Sequence, residues 1–115
     1  MFVAYVVVAA VLSLMLVASG AMKLMRAKPV ADNLQKLGVP LSVFPLLAIA
    51  EIAGAAGLLA GLVFGPFGIA AACGVTLYFL GAIVTHVRKA DWKGLGAPIF
   101  LLGLAIAAGA LRFAA

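Results

Sequence analysis

Long apolar runs separated by short polar segments cover almost the whole chain. The runs extend over about residues 2–22, 41–63, 67–85 and 95–111. At a rise of about 1.5 Å per residue, roughly 20 residues cross the hydrocarbon core of a bilayer, which is about 30 Å thick. Each run is close to that length. The pattern therefore predicts an all-α fold, a four-transmembrane-helix bundle that uses residues 1–115 as a single domain.

The composition agrees with a membrane environment. The chain is 68% hydrophobic and 10% charged, and its mean hydropathy is +1.34. Such a chain has too little polar surface to cover a soluble domain. We therefore expect a multi-pass protein of the cell membrane, with the lipid bilayer as its surroundings.

The basic residues predict an orientation. Those between the first two runs are Lys23, Arg26, Lys28 and Lys36, those between the last two are Arg88, Lys89 and Lys93, and Arg112 follows the fourth. Because cytoplasmic loops are enriched in Lys and Arg, both basic loops are expected on the cytoplasmic side. Both termini and a turn at residues 64–66 then lie on the non-cytoplasmic side. The net charge of +5 is therefore attributed to basic residues that set the membrane topology, and no nucleic-acid partner is expected.

The first basic loop, residues 23–40, is long enough to contain structure of its own. Asp32 or Asn33 is a suitable helix N-cap, and Gly38 is a suitable stop signal. We therefore predict a short helix on the cytoplasmic surface.

Small residues recur at four-residue spacing in the apolar runs. The pairs are Ala50 and Gly54, Gly57 and Gly61, Ala70 and Gly74, and Ala105 and Gly109. Such pairs let helix backbones approach closely in a membrane. They predict contacts within the bundle, and a homo-oligomer or a protein partner at the same faces is the alternative.

One carboxylate, Glu51, interrupts the second run near its centre. A charge at the bilayer centre costs about 2.5 to 3.5 kcal/mol on insertion scales, so we expect a partner or a protonated state. Gly54 and Ala55 share its helix face and are small, which favours an inward position. Lys23 is the nearest cation; it either extends to the interface or pairs with Glu51, and both interpretations stay open.

Depth along the spans suggests which polar side chains accompany Glu51. Counted from the cytoplasmic ends, Glu51 and Tyr78 lie about 12 to 13 Å deep, and Thr76 and Ser13 about 15 Å deep. These residues, with Lys23, form the candidate ligand-binding or polar layer of the bundle. No catalytic residue is assigned.

The sequence contains one cysteine, Cys73, and one histidine, His86. It therefore has no cysteine pair, no haem-ligand pair and no metal-ligand cluster. We expect Cys73 to be a small packing residue and His86 an interfacial polar residue. An autonomous enzymatic activity is not indicated.

Three segments resemble the DoxX-like family of four-helix membrane proteins. They are SGAMKL (Ser19 to Leu24), KLGVP (Lys36 to Pro40) and AEIAGAAGLLAGL (Ala50 to Leu62). The resemblance implies that Lys23 and Glu51 are the charged pair of the family. It also implies a link to quinone-dependent sulfur oxidation or to membrane complexes that manage thiol and oxidative stress, which makes quinone the candidate cofactor.

Two hypotheses follow. The chain is an accessory or scaffold subunit of a membrane redox or oxidative-stress complex, in contact with a partner and with quinone. Alternatively, the bundle binds or carries a small apolar molecule, with Glu51 and Tyr78 fixing its polar end. A proton-coupled transporter is a weaker option, because one intramembrane acid stands alone. A purely structural Glu51, hydrogen-bonded inside the bundle, is the competing interpretation.

Overall fold

The computed structural model describes residues 1–25, 32 and 34–115. Four long helices run through these ranges: α1 (Phe2–Leu24), α2 (Phe44–Ala60), α3 (Gly65–Arg88) and α4 (Gly96–Ala114). Short 3₁₀ turns, Leu41–Val43 and Lys93–Leu95, precede α2 and α4. The described ranges contain no strand, so the predicted all-helical fold is confirmed.

Three helical segments are long and apolar enough to cross a membrane. They are Phe2–Leu24, Gly65–Arg88 and Lys93–Ala114, and only 28%, 22% and 22% of their most apolar windows are buried within the protein. Most of their apolar side chains therefore face outward, as lipid-facing side chains do. The remaining helix, α2, is shorter, with 17 residues.

The helices pack in a ring in chain order, α1 against α2, α2 against α3, α3 against α4 and α4 against α1. The contacts of α1 with α2 and of α3 with α4 are the most extensive. The bundle is narrow, with extents of 41 × 25 × 17 Å. Close approach of the backbones explains this shape, because small residues occupy much of the interior.

The core combines small residues with a few large ones. Its members are Tyr5, Ala9, Leu12, Leu16, Ala55, Leu58, Ala72, Val75, Phe79, Leu101, Ala105 and Ala108. Cys73 is not among them. It is exposed on α3, because Ala72 and Val75 occupy the inward face and the next position points away. The expectation that Cys73 packs in the core is therefore wrong.

Proline sets where two of the helices begin. Pro45 and Pro66 each lie in the first turn, where a missing backbone N–H costs no helical hydrogen bond. The predicted turn at residues 64–66 accordingly lies earlier, at residues 61–63, and Gly65 already belongs to α3.

The predicted short helix of the first loop falls largely on residues 26–31 and 33, which lie outside the described residues. Within the described part, residues 32 and 34–36 are helical. Gly38 follows with a φ of +86°, a backbone conformation that glycine adopts without strain. Gly38 thus stands at the end of the helical residues, where the sequence predicts a stop.

Candidate functional site

The site is built around an ion pair between α1 and α2. Glu51 lies in the middle of α2 and is 2% exposed, and Lys23 lies in the last turn of α1 and is 8% exposed. The Lys23 ammonium donates to Glu51 Oε1 and, at 2.8 Å, to Ser19 Oγ. Ser19 is four residues before Lys23, so the two share one face of α1. The lysine is held inside the bundle at its Nζ.

A tyrosine from α3 completes the cluster. Tyr78 donates its hydroxyl proton to the same oxygen, Glu51 Oε1, at 2.6 Å. The second oxygen, Oε2, is buried and has no hydrogen-bond partner within the described residues. Glu51 therefore ties three helices together through one oxygen, while the other retains its acceptor capacity.

Ser13 and Thr76, the other two members of the predicted layer, make their hydrogen bonds to backbone carbonyl oxygens. Ser13 is buried in α1 and lies 3.4 Å from the carbonyl oxygen of Ala55, one turn beyond Glu51. Thr76 donates to the carbonyl oxygen of Ala72, within α3, at 2.7 Å. Two residues along a helix are rotated by about 200°, which explains why Thr76 does not accompany Tyr78 despite its similar depth.

A cavity of about 720 Å³, called here the inner cavity, opens beside the ion pair. All four helices contribute to its wall. Its polar groups come from Ser19, Lys23, Glu51, Tyr78, Thr85 and His86, and its apolar ones include Leu37, Leu47, Phe79, Ala82, Pro98 and Leu101. An apolar chamber of this size with a few convergent polar groups is typical of a small-molecule site.

His86 belongs to the wall of the inner cavity as well as to the end of α3. Its Nδ1 lies 2.7 Å from the carbonyl oxygen of Ala82, and its Nε2 lies 3.6 Å from a carboxylate oxygen of Asp91. Both ring nitrogens thus face acceptors, which fixes the ring against the cavity. The sequence suggested an interfacial position but not this contact with the cavity.

A second cavity of about 520 Å³, called here the outer cleft, lies between α2 and α3 with Leu16 of α1 in its wall, and it is about as open as the inner cavity. Its lining is Leu16, Ala50, Glu51, Ala53, Gly54, Ala71, Gly74, Val75, Leu77 and Tyr78. Glu51 and Tyr78 line both the outer cleft and the inner cavity. The hydrogen bond between them therefore stands where the two spaces meet.

A second polar cluster lies at the opposite end of the bundle. Arg112 donates from Nε to the carbonyl oxygen of Gly61 at 2.7 Å, just beyond the C-terminus of α2. Its guanidinium lies 5.5 Å from the ring centroid of Phe2 and 5.8 Å from that of Tyr5. Tyr5 in turn donates to the carbonyl oxygen of Leu58 at 2.7 Å. The arrangement joins α1, α2 and α4, a role that the sequence interpretation of Arg112 as a topology charge did not include.

Sequence reasoning did not assign Ser19 or His86 to the site. The signal for Ser19 was present, because its four-residue spacing from Lys23 puts a hydroxyl within reach of the ammonium. No comparable local signal marks His86 or Arg112, since their partners lie on the following loop and on another helix.

These features define a class, a membrane-spanning helical bundle with an ion pair buried in its interior. The model of the DoxX-like family matches residues 7–108, nearly the whole chain. The chain belongs to the DoxX-like family. No curated protein and no solved structure gave a match.

Proposed function

We propose that this DoxX-like protein binds an amphipathic small molecule within the membrane, with the polar head of that molecule beside Lys23, Glu51 and Tyr78. The observation that carries the proposal is the inner cavity, which combines an apolar wall with a polar end. Its volume of about 720 Å³ lies within the range of sites for small organic ligands. In this proposal the polar head of the ligand lies at the ion pair, and the apolar residues of α3 and α4 contact the apolar part of the ligand.

The donors at the polar end favour an uncharged acceptor as the head group. An ammonium has three N–H donors, and Lys23 uses one on Ser19 and one on Glu51. Within the described residues, Lys23 has no third acceptor, so one donor can serve the ligand, while the charge of Lys23 is already balanced by Glu51. A carbonyl oxygen meets both conditions. A quinone carries such oxygens, and quinone is also what the resemblance to the family implies.

Binding of decylubiquinone to the purified protein in nanodiscs tests this proposal. Lys23→Met is expected to weaken binding at least about tenfold, because a charge-assisted hydrogen bond contributes about 1.5 to 3 kcal/mol. Thr76→Val is the matched control, since Thr76 lines neither cavity, and it should bind as the wild type does. Equal binding by Lys23→Met and the wild type, or no binding by the wild type, would contradict the proposal.

The membrane topology is part of the proposal. We infer four crossings of the cell membrane, with both termini on the non-cytoplasmic side. The 17 residues of α2 extend about 25 Å, and the preceding 3₁₀ turn adds about 6 Å, so together they match the thickness of the hydrocarbon core. Lys23 and Arg88 end α1 and α3 at one face of the bundle, and Arg112 lies at the other. Alkaline phosphatase fused after Ala115 should be active and a fusion after Ala90 inactive; the reverse pattern would overturn this orientation.

A second proposal concerns assembly. We propose that the protein is an accessory subunit of a membrane redox or oxidative-stress complex. Family membership supports this role, and with one cysteine and one histidine in the sequence, electron-transfer groups would come from a partner. Affinity purification from native membranes in mild detergent should recover a redox protein in stoichiometric amount. Recovery of this chain alone would contradict it, and recovery of a second copy of the chain would favour a homo-oligomer.

A further inference from the structure

We propose that Arg112 binds the phosphate of a membrane phospholipid at the end of the bundle opposite the two basic loops. The site consists of the Arg112 guanidinium and the residues that hold it, Phe2, Gly61 and Gly65. None of these four residues lines the inner cavity or the outer cleft. The inference therefore goes beyond the proposed function and does not depend on a ligand in either cavity.

The first support is the geometry that holds the guanidinium. Its Nε donates to the carbonyl oxygen of Gly61 at 2.7 Å. A Cβ on Gly65 would stand 3.1 Å from Cζ, 3.1 Å from Nη2 and 3.3 Å from Nε. Because the central Cζ is as near as the nitrogens, Gly65 lies against the face of the planar group and not against an N–H edge. Phe2, whose ring centroid is 5.5 Å from Cζ, adds a cation–π contact.

The second support is the set of donors that this arrangement leaves. A guanidinium has five N–H groups, and the one on Nε is used on Gly61. The four on Nη1 and Nη2 have no acceptor in the described part of the chain. These nitrogens are also accessible, since neither is among the fully buried polar atoms that lack a partner. Their fork geometry matches two oxygens of one phosphate group.

The third support is the charge of Arg112. The sequence contains three acidic residues, Asp32, Glu51 and Asp91. Glu51 is bound to Lys23, and the other two follow α1 and α3, at the opposite end of the bundle from Arg112. Among the described residues Arg112 forms no salt bridge. An anion from outside the chain would supply the missing counter-charge.

The surroundings of Arg112 favour a lipid as the source of the phosphate. Four exposed phenylalanine rings lie at this end of the bundle, those of Phe2, Phe64, Phe67 and Phe113. Exposed apolar rings beside a polar group are typical of a membrane contact. The guanidinium, which contacts one of these rings, therefore lies where lipid chains meet their head groups. A free phosphate ion would gain nothing from the rings.

Native mass spectrometry of the full chain in mild detergent tests the proposal. The protein is titrated with dioleoylphosphatidylglycerol and with dioleoylglycerol, which has the same chains and no phosphate. Arg112→Gln is expected to weaken binding of the first phosphatidylglycerol at least about tenfold, because charge-assisted hydrogen bonds are lost, and to leave dioleoylglycerol unchanged. Lys93→Gln is the matched control, since it removes the same charge from an exposed residue at the other end, and it should bind both lipids as the wild type does.

Two results of the titration would overturn the inference. The first is unchanged phosphatidylglycerol binding by Arg112→Gln, or an equal loss in Arg112→Gln and Lys93→Gln. The second is displacement of the lipid from the wild type by inorganic phosphate, because the site would then take a free anion.

A measurement on the wild type keeps the inference testable if Arg112→Gln does not fold. A phosphatidylglycerol with a diazirine beside its head group, added in substoichiometric amount, should label residues 61–68 and 112–113 and spare residues 88–95. Labelling mainly of residues 88–95 would assign the lipid to the basic loop and overturn the inference.

Discussion

Lys23 and Glu51, 28 residues apart in the chain, form an ion pair inside the bundle and join the end of α1 to the middle of α2. The two partners are not equally enclosed, because the side chain of Lys23 is 10% exposed and that of Glu51 is 1% exposed. A lysine near a helix end can extend toward the end of the bundle, whereas a carboxylate in the middle of an apolar helix cannot. Glu51 therefore depends on Lys23 more than Lys23 depends on Glu51.

This asymmetry predicts unequal effects of removing each partner. Lys23→Met should destabilise the fold by about 3 to 5 kcal/mol, the cost of leaving a buried charge without its partner. Glu51→Gln should cost less, about 1 to 3 kcal/mol, because the ammonium can move to the interface and Gln can still accept from Tyr78. Unfolding in mixed micelles with increasing SDS measures both.

The double variant provides the control. If the charges stabilise each other, Lys23→Met combined with Glu51→Gln should cost less than the sum of the single changes by at least about 1 kcal/mol. Strict additivity, or a larger loss for Glu51→Gln than for Lys23→Met, would show that the pair does not act as described.

Tyr78 and Thr76 make a second comparison, since both are polar residues of α3 at similar depth. Tyr78→Phe removes the donor to Glu51 Oε1 and should destabilise the bundle by about 1 to 2 kcal/mol. Thr76→Val removes only a hydrogen bond within α3 and should change stability by less than about 0.5 kcal/mol. The same SDS titration applies, and equal effects would mean that the bond from Tyr78 contributes nothing specific.

The four long helices could be predicted from hydropathy because each is a nearly continuous apolar run, and the lengths of such runs are set by the bilayer. The site was only partly predictable. Depth along an apolar run follows from counting residues, and it grouped Glu51 with Tyr78, which are joined by a hydrogen bond in the structure. The direction of a side chain around the helix depends on how neighbouring helices pack, which is why Thr76 was grouped with them although it binds within α3.

The remaining differences between the predicted and the observed structure concern Pro66 and Arg112. Pro66 was assigned to a turn, but proline also suits the first turn of a helix, and α3 begins at Gly65. Arg112 was treated as a topology marker, because its acceptor, the carbonyl oxygen of Gly61, lies 51 residues away and no spacing rule connects them. Contacts between helices that are distant in the sequence are set by the packing of the bundle, which hydropathy does not describe.

The glycine contact between α2 and α3 gives a third prediction. A Cβ on Gly61 would stand 2.8 Å from the backbone nitrogen of Gly68, which no side-chain rotation can relieve. Gly61→Ala should therefore destabilise the fold by about 1 to 3 kcal/mol through overpacking. Gly103→Ala, at an open position, should stabilise it by up to about 1 kcal/mol through helix propensity. Thermal unfolding in detergent compares the two, and a neutral Gly61→Ala would contradict the close approach.

Arg112 gives the fourth prediction, which separates its charge from its geometry. Arg112 donates from Nε to the carbonyl oxygen of Gly61, and its positive charge lies beside the negative end of the α2 dipole. Arg112→Met removes both and should cost about 2 kcal/mol. Lysine restores the charge but not the planar group that reaches the carbonyl and faces the ring of Phe2, so Arg112→Lys should recover less than half of that loss. Full recovery by lysine in thermal unfolding would mean that charge alone matters at this end of the bundle.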